Sequence, residues 1–296
     1  LVDLRVVHPH VGAGDRLVGR ARRASCRAAT GTRIFGAVIG HQLLVLSDAH
    51  LGAVPRDVED ALLAFLEAAP TLGDCLLING DLFDFWFAYR RVVPREGFHV
   101  VAALAALRRR MPVLLTGGNH DRWGDSFWDR DLGIPFSPGP LRFKVGGLTV
   151  EARHGDGIAE SHWTARVLHR VTRHPLTIAA YRFLHPDLGL WLVGRLSPRL
   201  ADSTRADAVL DRAAARQQAW AEARLREDPG LGLLVLGHTH RARVSEPEPG
   251  RRYLNPGAWL DGLRYAVATE EAVTLRQFPP PPAPAPLPPV PRLPPT

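Results

Sequence analysis

Five short polar clusters, each placed after an apolar run, carry residue types that bind divalent metal ions. They are Asp48-Ala49-His50, Gly80-Asp81, Gly118-Asn119-His120-Asp121, His154-Gly155-Asp156 and Gly237-His238-Thr239-His240. Carboxylate, imidazole and amide ligands without cysteine suit Mn²⁺, Fe²⁺ or Zn²⁺. Two such ions about 3.5–4 Å apart are a known arrangement for in-line attack on phosphorus. The clusters together predict a dinuclear metal centre, which one His-x-His pair would not.

Alternating strand and helix patterns lead to the first three clusters. Gln42 to Leu46, Cys75 to Ile78 and Val113 to Leu115 are continuous apolar runs of strand length, typical of strands buried on both faces. Residues 56–69 and 97–110, between these runs, have apolar residues at helical spacing. This order predicts a parallel sheet with its ligands at the carboxyl ends of the strands, where the clusters fall.

Further strand patterns follow in the second half of the chain. They are Leu141 to Ala152 around a Gly146-Gly147 turn, Leu233 to Leu236, Arg252 to Leu254, Arg264 to Thr269 and Val273 to Phe278. We therefore expect an α/β fold with two sheets and outer helices, a four-layer α/β/β/α sandwich.

The spacing of the clusters predicts an insertion. The steps from Asp48 to Asp81, from Asp81 to Asn119 and from Asn119 to His154 are 33, 38 and 35 residues. The next step, from His154 to His238, is 84 residues. About fifty extra residues, in the inserted segment 157–225, have helical patterns with ten arginines, six acidic residues and many large apolar residues. We expect a helical lid beside the metal centre; the alternative is a helical pair that only packs on the body.

The two ends of the chain differ in composition from the main domain, residues 42–278. Residues 1–41 carry a net charge of +5 and are expected to form a poorly ordered Arg-rich extension. Residues 279–296 contain eleven prolines, which predicts a disordered polyproline tail. A passive tail is favoured over a docking segment. The uncharged run Ile34 to Ser47 is expected to be core strand rather than a signal peptide, because it ends directly in metal ligands.

The charge distribution argues against a nucleic-acid partner. The formal charge of the chain is +7, but residues 42–278 carry only +1, and nucleic-acid affinity depends on dense basic surfaces. No run approaches the ~18 consecutive apolar residues of a membrane span. Cys26 and Cys75 are the only cysteines, and we expect no structural disulfide, which favours a reducing compartment such as the cytoplasm.

The order of the five clusters resembles the calcineurin-like metallophosphoesterase superfamily over residues 42–278. The resemblance implies two divalent metal ions, with Mn²⁺ the first candidate and Fe²⁺ or Zn²⁺ the alternatives. It assigns Asp48, His50 and His240 to the first metal, Asn119, His154 and His238 to the second, and Asp81 to a bridge between them. Because no member of the set is missing, a metal-free scaffold is disfavoured.

Two further residues receive catalytic roles by the same resemblance. His120 matches the catalytic histidine of the superfamily, which stabilises the transition state or protonates the departing oxygen. Asp121 is expected to accept a hydrogen bond from His120 and fix its orientation.

A narrower resemblance concerns residues 79–87, Val92-Val93-Pro94, His154-Gly155-Asp156-Gly157 and residues 184–189. These segments are similar to the UDP-2,3-diacylglucosamine diphosphatases. The resemblance implies hydrolysis of UDP-2,3-diacylglucosamine to UMP and 2,3-diacylglucosamine 1-phosphate in lipid A biosynthesis, with a lid that holds acyl chains. It also implies a cytoplasmic enzyme that associates transiently with the inner-membrane surface. The candidate substrate contacts are Asn119, His120, His162, Arg166 and Arg205.

One position departs from this pattern. Many of these diphosphatases have Arg where this chain has His120, and Arg cannot act as a general acid at neutral pH. His120 therefore permits protonation of a leaving group and makes the chain look more like the wider superfamily. The alternatives are a phosphodiesterase or phosphatase acting on another phosphoester, and a non-catalytic interaction protein that uses the Pro-rich tail.

Overall fold

The computed structural model describes residues 25–27, 32–89, 91–124, 126–158, 167, 170–172, 174–201 and 207–279. The strands are β1 Ser25–Arg27, β2 Arg33–Val38, β3 Leu43–Leu46, β4 Cys75–Asn79, β5 Val113–Thr116, β6 Phe136–Ser137, β7 Leu141–Val145, β8 Leu148–Ala152, β9 Leu233–Val235, β10 Arg243–Glu248, β11 Arg251–Asn255, β12 Arg264–Ala268 and β13 Val273–Gln277. The helices are α1 Arg56–Leu72, α2 Phe98–Leu107, α3 Pro175–Phe183, α4 Pro186–Ala201 and α5 Asp207–Glu227.

The strands form two sheets. The six-stranded sheet has the order β13-β12-β3-β4-β5-β6, in which β3, β4, β5 and β6 pair in parallel. The seven-stranded sheet has the order β1-β2-β7-β8-β9-β11-β10, in which β8, β9 and β11 are parallel. The parallel strands β3, β4 and β5 lie inside the first sheet, and β8, β9 and β11 lie inside the second. Their carboxyl ends can therefore bring loops from both halves of the chain to one place.

Alternating side chains explain why the central strands are apolar along their whole length. In β3, Leu43 and Val45 pack between the two sheets, whereas Leu44 and Leu46 pack on the opposite face with α1 and α2. On the far side of the seven-stranded sheet, Leu225 of α5 packs with residues that include Leu234 and Tyr253. Three apolar layers therefore separate four layers of elements, which confirms the predicted α/β/β/α sandwich.

The predicted boundary at residue 41 differs from the structure. Arg33–Val38 forms β2, which pairs in parallel with β7, and Phe35 is buried between the sheets. This strand forms because the short apolar stretch around Phe35 is long enough for a strand near the edge of the sheet, although an arginine precedes it. Residues 1–24 and 280–296, including nearly all of the predicted tail, lie outside the described residues.

The predicted inserted segment divides into two parts. None of the described side chains of α3 and α4 belongs to the three apolar layers, whereas α5 packs on the seven-stranded sheet through buried Ala221 and Leu225. The prediction that 157–225 as a whole is a lid is therefore wrong for α5, because its apolar stripe faces the sheet. No helix among the described residues is long and apolar enough to cross a membrane.

Candidate metal centre

The first group of predicted ligands converges from two sheets. Asp48 and His50 follow β3, and His240 follows β9. Nε2 of His240 lies 3.4 Å from Oδ1 of Asp48, and the rings of His50 and His240 are 5.3 Å apart. One donor atom from each residue lies within 4.8 Å of the others. The three side chains can therefore face one cation together.

The second group lies directly beside the first. Donor atoms of Asp81, His154 and His238 also lie within 4.8 Å of one another. Oδ2 of Asp81 is 3.0 Å from Nε2 of His154 and 3.8 Å from Nε2 of His50. Because Asp81 contacts a member of each group, its carboxylate lies between them, as the bridging role requires. The structure brings six of the seven predicted ligands together, and Asn119 lies between Gly118 and His120, which both contact Asp81. The binding of metal by these residues stays a prediction.

Two buried atoms show that this centre fits a pair of cations. Within the described part of the chain, Nε2 of His50 and Oδ1 of Asn119 are buried and have no hydrogen-bond partner, which is costly unless something else satisfies them. An imidazole nitrogen and an amide oxygen are both metal donors. Nδ1 of His154 lies 3.0 Å from the carbonyl oxygen of Asn79, and because a carbonyl only accepts, Nδ1 carries the proton and leaves Nε2 as the donor to a metal.

Unusual backbone geometry marks the same residues. Six non-glycine residues of the described chain have a positive φ, and five of them are predicted ligands. These five are Asp48, His50, Asp81, His238 and His240. Such conformations cost about 1–3 kcal/mol each and persist where the surroundings impose them. The amide of His238, for example, donates to both oxygens of Asp48 at 3.1 Å.

Neighbouring charges set the protonation of the ligands in the metal-free protein. Burial raises the pKa of Asp48, but His154 and His240 outweigh it and lower the pKa to about 2. Burial lowers the pKa of His154, yet Asp81 and Asp48 raise it to about 10. The pKa of His240 is raised to about 10 by Asp48 and Asp261 against the effect of burial. Protons thus occupy nitrogens that a cation would use.

His120 is oriented by Asp84 rather than by Asp121. Nδ1 of His120 donates to the carbonyl oxygen of Asp84 at 2.6 Å, and the Asp84 carboxylate lies 3.6 Å away. The same carboxylate lies 3.7 Å from Nδ1 of His50. The prediction that Asp121 orients His120 is therefore wrong, and Asp84 is the acidic residue between a predicted ligand and the predicted catalytic histidine.

Asp121 instead organises the backbone of the loops. Its carboxylate accepts hydrogen bonds from the amides of Gly118, Asp81 and Leu82 at 2.8, 3.2 and 2.7 Å. The amide of His120 in turn donates to Oδ1 of Asp81 at 2.9 Å. Asp121 therefore joins the loops after β4 and β5. The sequence gives no signal for the role of Asp84, because this residue stands in an aromatic stretch and its partners His50 and His120 come from two other loops.

An aromatic cluster follows Asp84 and contacts the inserted segment. The ring of Tyr181 on α3 lies 5.8 Å from that of Phe85 and 4.6 Å from that of Phe87. Nε1 of Trp123 donates to the carbonyl oxygen of Thr172 at 3.1 Å. The α3 helix is thus attached to the loops that carry Asp84 and His120. The predicted contacts His162, Arg166 and Arg205 lie outside the described residues.

A family comparison agrees with this geometry. The family model for calcineurin-like phosphoesterases matches residues 41–242, which include every predicted ligand. The chain therefore belongs to the calcineurin-like phosphoesterase family, whose chemistry is metal-dependent hydrolysis of phosphoesters.

Curated relatives are more specific. The chain is 27% identical to a UDP-2,3-diacylglucosamine hydrolase of Porphyromonas gingivalis, over 75% of this chain and 91% of that protein. It is 31% identical to one of Aeromonas salmonicida, over 74% and 86%, and 27% identical to one of Serratia proteamaculans, over 80% and 98%. The solved structure of Yfce, a phosphoesterase from E. coli, aligns with a TM-score of 0.36 and 15% identity, over 80% of this chain and 99% of that chain.

Proposed function

We propose that this hydrolase cleaves the pyrophosphate of UDP-2,3-diacylglucosamine to give UMP and 2,3-diacylglucosamine 1-phosphate, a step of lipid A biosynthesis. The names of its relatives support this substrate. The observation that carries the proposal is the adjacency of two chemically different surfaces. Asp84 faces the ligand groups, and the next residue, Phe85, begins the aromatic cluster with Tyr181.

A substrate with a pyrophosphate and two acyl chains needs both surfaces. The charged groups belong at the metal centre, and apolar chains gain free energy from burial against aromatic side chains. The α3 helix would act as the lid, since Tyr181 already packs on Phe87 and Tyr89. A lipid substrate would explain why an inserted segment rich in apolar side chains lies beside a highly charged site.

The predicted ligands would hold two divalent cations, with Mn²⁺ the first candidate. When bound, these supply charge neutralisation at phosphorus and a lowered pKa for water. The Asp81 carboxylate lies between the two groups of predicted ligands, so its charge would lower the repulsion between two bound cations. The Nδ1–H of His154, held by the Asn79 carbonyl, keeps Nε2 directed at Asp81.

His120 would protonate the departing oxygen. Its Nδ1–H is held by the Asp84 carbonyl, so the exchangeable proton is at Nε2. Burial lowers the pKa of His120, but the carboxylates of Asp81 and Asp84 outweigh it and raise the pKa. An imidazolium at Nε2 can then transfer its proton as the phosphorus–oxygen bond breaks.

The proposed lipid substrate would bring the protein to the cytoplasmic face of the inner membrane, without spanning it. The outer surface of α4 supports this part of the proposal. Leu188 stands about one helical turn before Trp191 and Leu192, all three are exposed, and Arg195 lies over the Trp191 ring. Phe183, at the end of α3, is 92% exposed. Apolar residues beside arginine suit an anionic lipid surface.

Turnover of UDP-2,3-diacylglucosamine with Mn²⁺ in ¹⁸O-water tests the proposal. We expect one labelled oxygen in UMP, because attack at the α-phosphorus leaves the sugar phosphate unlabelled. Asp81→Asn serves as the inactive control, since it keeps the size of the side chain and removes the bridging charge. Label in 2,3-diacylglucosamine 1-phosphate would refute the direction of attack, and absence of turnover by a protein with two bound metals would refute the substrate.

A further inference from the structure

A glutamine on α5 contacts the backbone that carries several of the predicted ligands. Gln217 is completely buried, although a glutamine is usually exposed. Its Nε2 donates to the carbonyl oxygen of Gly237 at 3.1 Å. Its Oε1 accepts from Thr239 Oγ1 at 3.2 Å and from the hydroxyl of Tyr253 at 3.3 Å. The amide therefore binds both sides of His238 and reaches the residue before His240.

Asn255 completes this polar network from the sheet. Its Nδ2 lies 3.3 Å from Oε1 of Gln217, 3.1 Å from the carbonyl oxygen of Gly237 and 3.1 Å from Oγ1 of Thr239. Two carboxamides thus hold one short loop segment. This matters because His238 and His240 both have a positive φ, a conformation that needs support from its surroundings.

The same side chain also touches the loop after β8. Gly155 lies between His154 and Asp156, and a Cβ on it would lie 2.2 Å from Nε2 of Gln217. Gln217 is therefore in close contact with the loops of both His154 and His238. These are the two imidazoles of the second ligand group, whose rings lie 5.2 Å apart.

The helix that carries Gln217 begins where the inserted segment rejoins the sandwich. Arg241, which follows His240, pairs with Asp211 at 2.8 Å and with Asp207 in the first turn of α5. The ligand loop is thus tied to α5 at two places, one exposed and one buried.

We propose that Gln217 is a positioning residue of the metal centre, which fixes His238 and His240 through their backbone and links that loop to the end of the inserted segment. The inference rests on the proposed two-metal centre. Gln217 binds the backbone of Gly237 and the side chain of Thr239, so it acts on His238 and His240 through the loop. Loss of groups that support metal ligands lowers metal affinity by about 10–100-fold.

Metal affinity of Gln217→Met tests this role. Met has similar length and no hydrogen-bonding amide. Gln218→Met is the matched control, because Gln218 is the next residue and binds Glu222 and Arg243 away from both loops. Each protein is titrated with Co²⁺, and the visible absorption reports both affinity and ligand geometry. Circular dichroism of the metal-free proteins checks the fold.

We expect Gln217→Met to bind Co²⁺ about 10–100-fold more weakly with a changed absorption band, and Gln218→Met to match the wild type. Should Gln217→Met not fold, Gln217→Glu replaces it, since this keeps the shape but removes the N–H donated to Gly237. Unchanged affinity and spectrum in a folded Gln217 variant, or equal losses in both positions, would overturn the proposal. Failure of the wild type to bind two Co²⁺ would instead refute the metal centre itself.

Discussion

Individual imidazoles in this centre lie where they could bind a cation, and two of them have raised pKa values, so they also bind protons strongly. The pKa of His154 and that of His240 are both raised to about 10 by buried carboxylates that outweigh the effect of burial. His238 differs, because burial and the nearby His154 lower its pKa to about 4. The two high pKa values mean that protons compete with a metal ion for these imidazoles, and that metal binding must displace those protons.

Metal binding should therefore release protons at neutral pH. Near pH 7.5, below the pKa of about 10 of His154 and His240, both imidazoles are protonated. We expect release of about two protons per chain on addition of Mn²⁺ to metal-free protein, decreasing as the pH rises through about 10. Isothermal titration in buffers of different ionisation enthalpy measures the number. A release of zero protons near neutral pH would contradict the assigned ligands.

His120 should matter most for poor leaving groups. If His120 protonates the departing oxygen, His120→Gln should lower kcat by about 10²–10⁴-fold on UDP-2,3-diacylglucosamine. The loss should be much smaller on a p-nitrophenyl ester, whose leaving group needs no proton. Steady-state kinetics on the two substrates provide the comparison. Equal losses on both would show that His120 only stabilises charge or structure.

At the scale of elements, strand ends deliver the ligands and glycines let the loops approach. Gly118 precedes Asn119, and a Cβ on it would lie 2.0 Å from Oδ1 of Asp81. Gly80 has a φ of +81° next to Asp81. The loops after β4 and β5 are therefore in contact without room for a methyl group, and this contact sets the position of the Asp81 carboxylate.

A single methyl group at residue 118 should disturb the metal centre. We expect Gly118→Ala to displace Asp81 and to lower metal affinity by at least the 10–100-fold range typical of lost supporting groups. Gly139→Ala is the matched control, because no atom lies within 4 Å of a Cβ there. Metal content after dialysis and Co²⁺ titration distinguish the two. Full metal occupancy in Gly118→Ala would mean that the loops can move apart freely.

Elements with a strong apolar pattern could be predicted from the sequence, and the others could not. The central strands β3, β4 and β5 and helix α1 lie where the patterns placed them. By contrast, β10 has the sequence RVSEPE with no buried residue, because it is an edge strand. The helix α5 was assigned to the insertion because chain spacing cannot show where an insertion rejoins the sandwich.

At the scale of the whole molecule, two sheets from distant parts of the chain share one site. The convergence of the predicted ligands could be foreseen from the sequence, because each follows a strand and parallel strands end at the same edge. The role of Asp84 was not predictable, since it depends on how the loops after β3 and β5 cross the loop after β4. The sequence pattern predicts which segments form strands, whereas the side-chain contacts between loops can be known only from the packed structure.

The proposed lipid-facing surface belongs to the same scale. We expect the double variant Phe183→Ser, Trp191→Ser to bind mixed phosphatidylglycerol and phosphatidylcholine vesicles at least about tenfold more weakly. Full burial of one large apolar side chain contributes about 1.5–3 kcal/mol, and the variant removes two such side chains. Val244→Ser with Leu275→Ser is the control, since both residues are exposed on β10 and β13. Vesicle flotation measures binding. Equal binding by all three proteins would place membrane contact elsewhere.

The most direct test of the two-metal centre is anomalous diffraction at the manganese edge from crystals grown with Mn²⁺. Two peaks are predicted, one in contact with Asp48, His50 and His240 and the other with Asn119, His154 and His238. The Asp81 carboxylate should touch both. A single peak, or peaks away from Asp81, would contradict the dinuclear centre.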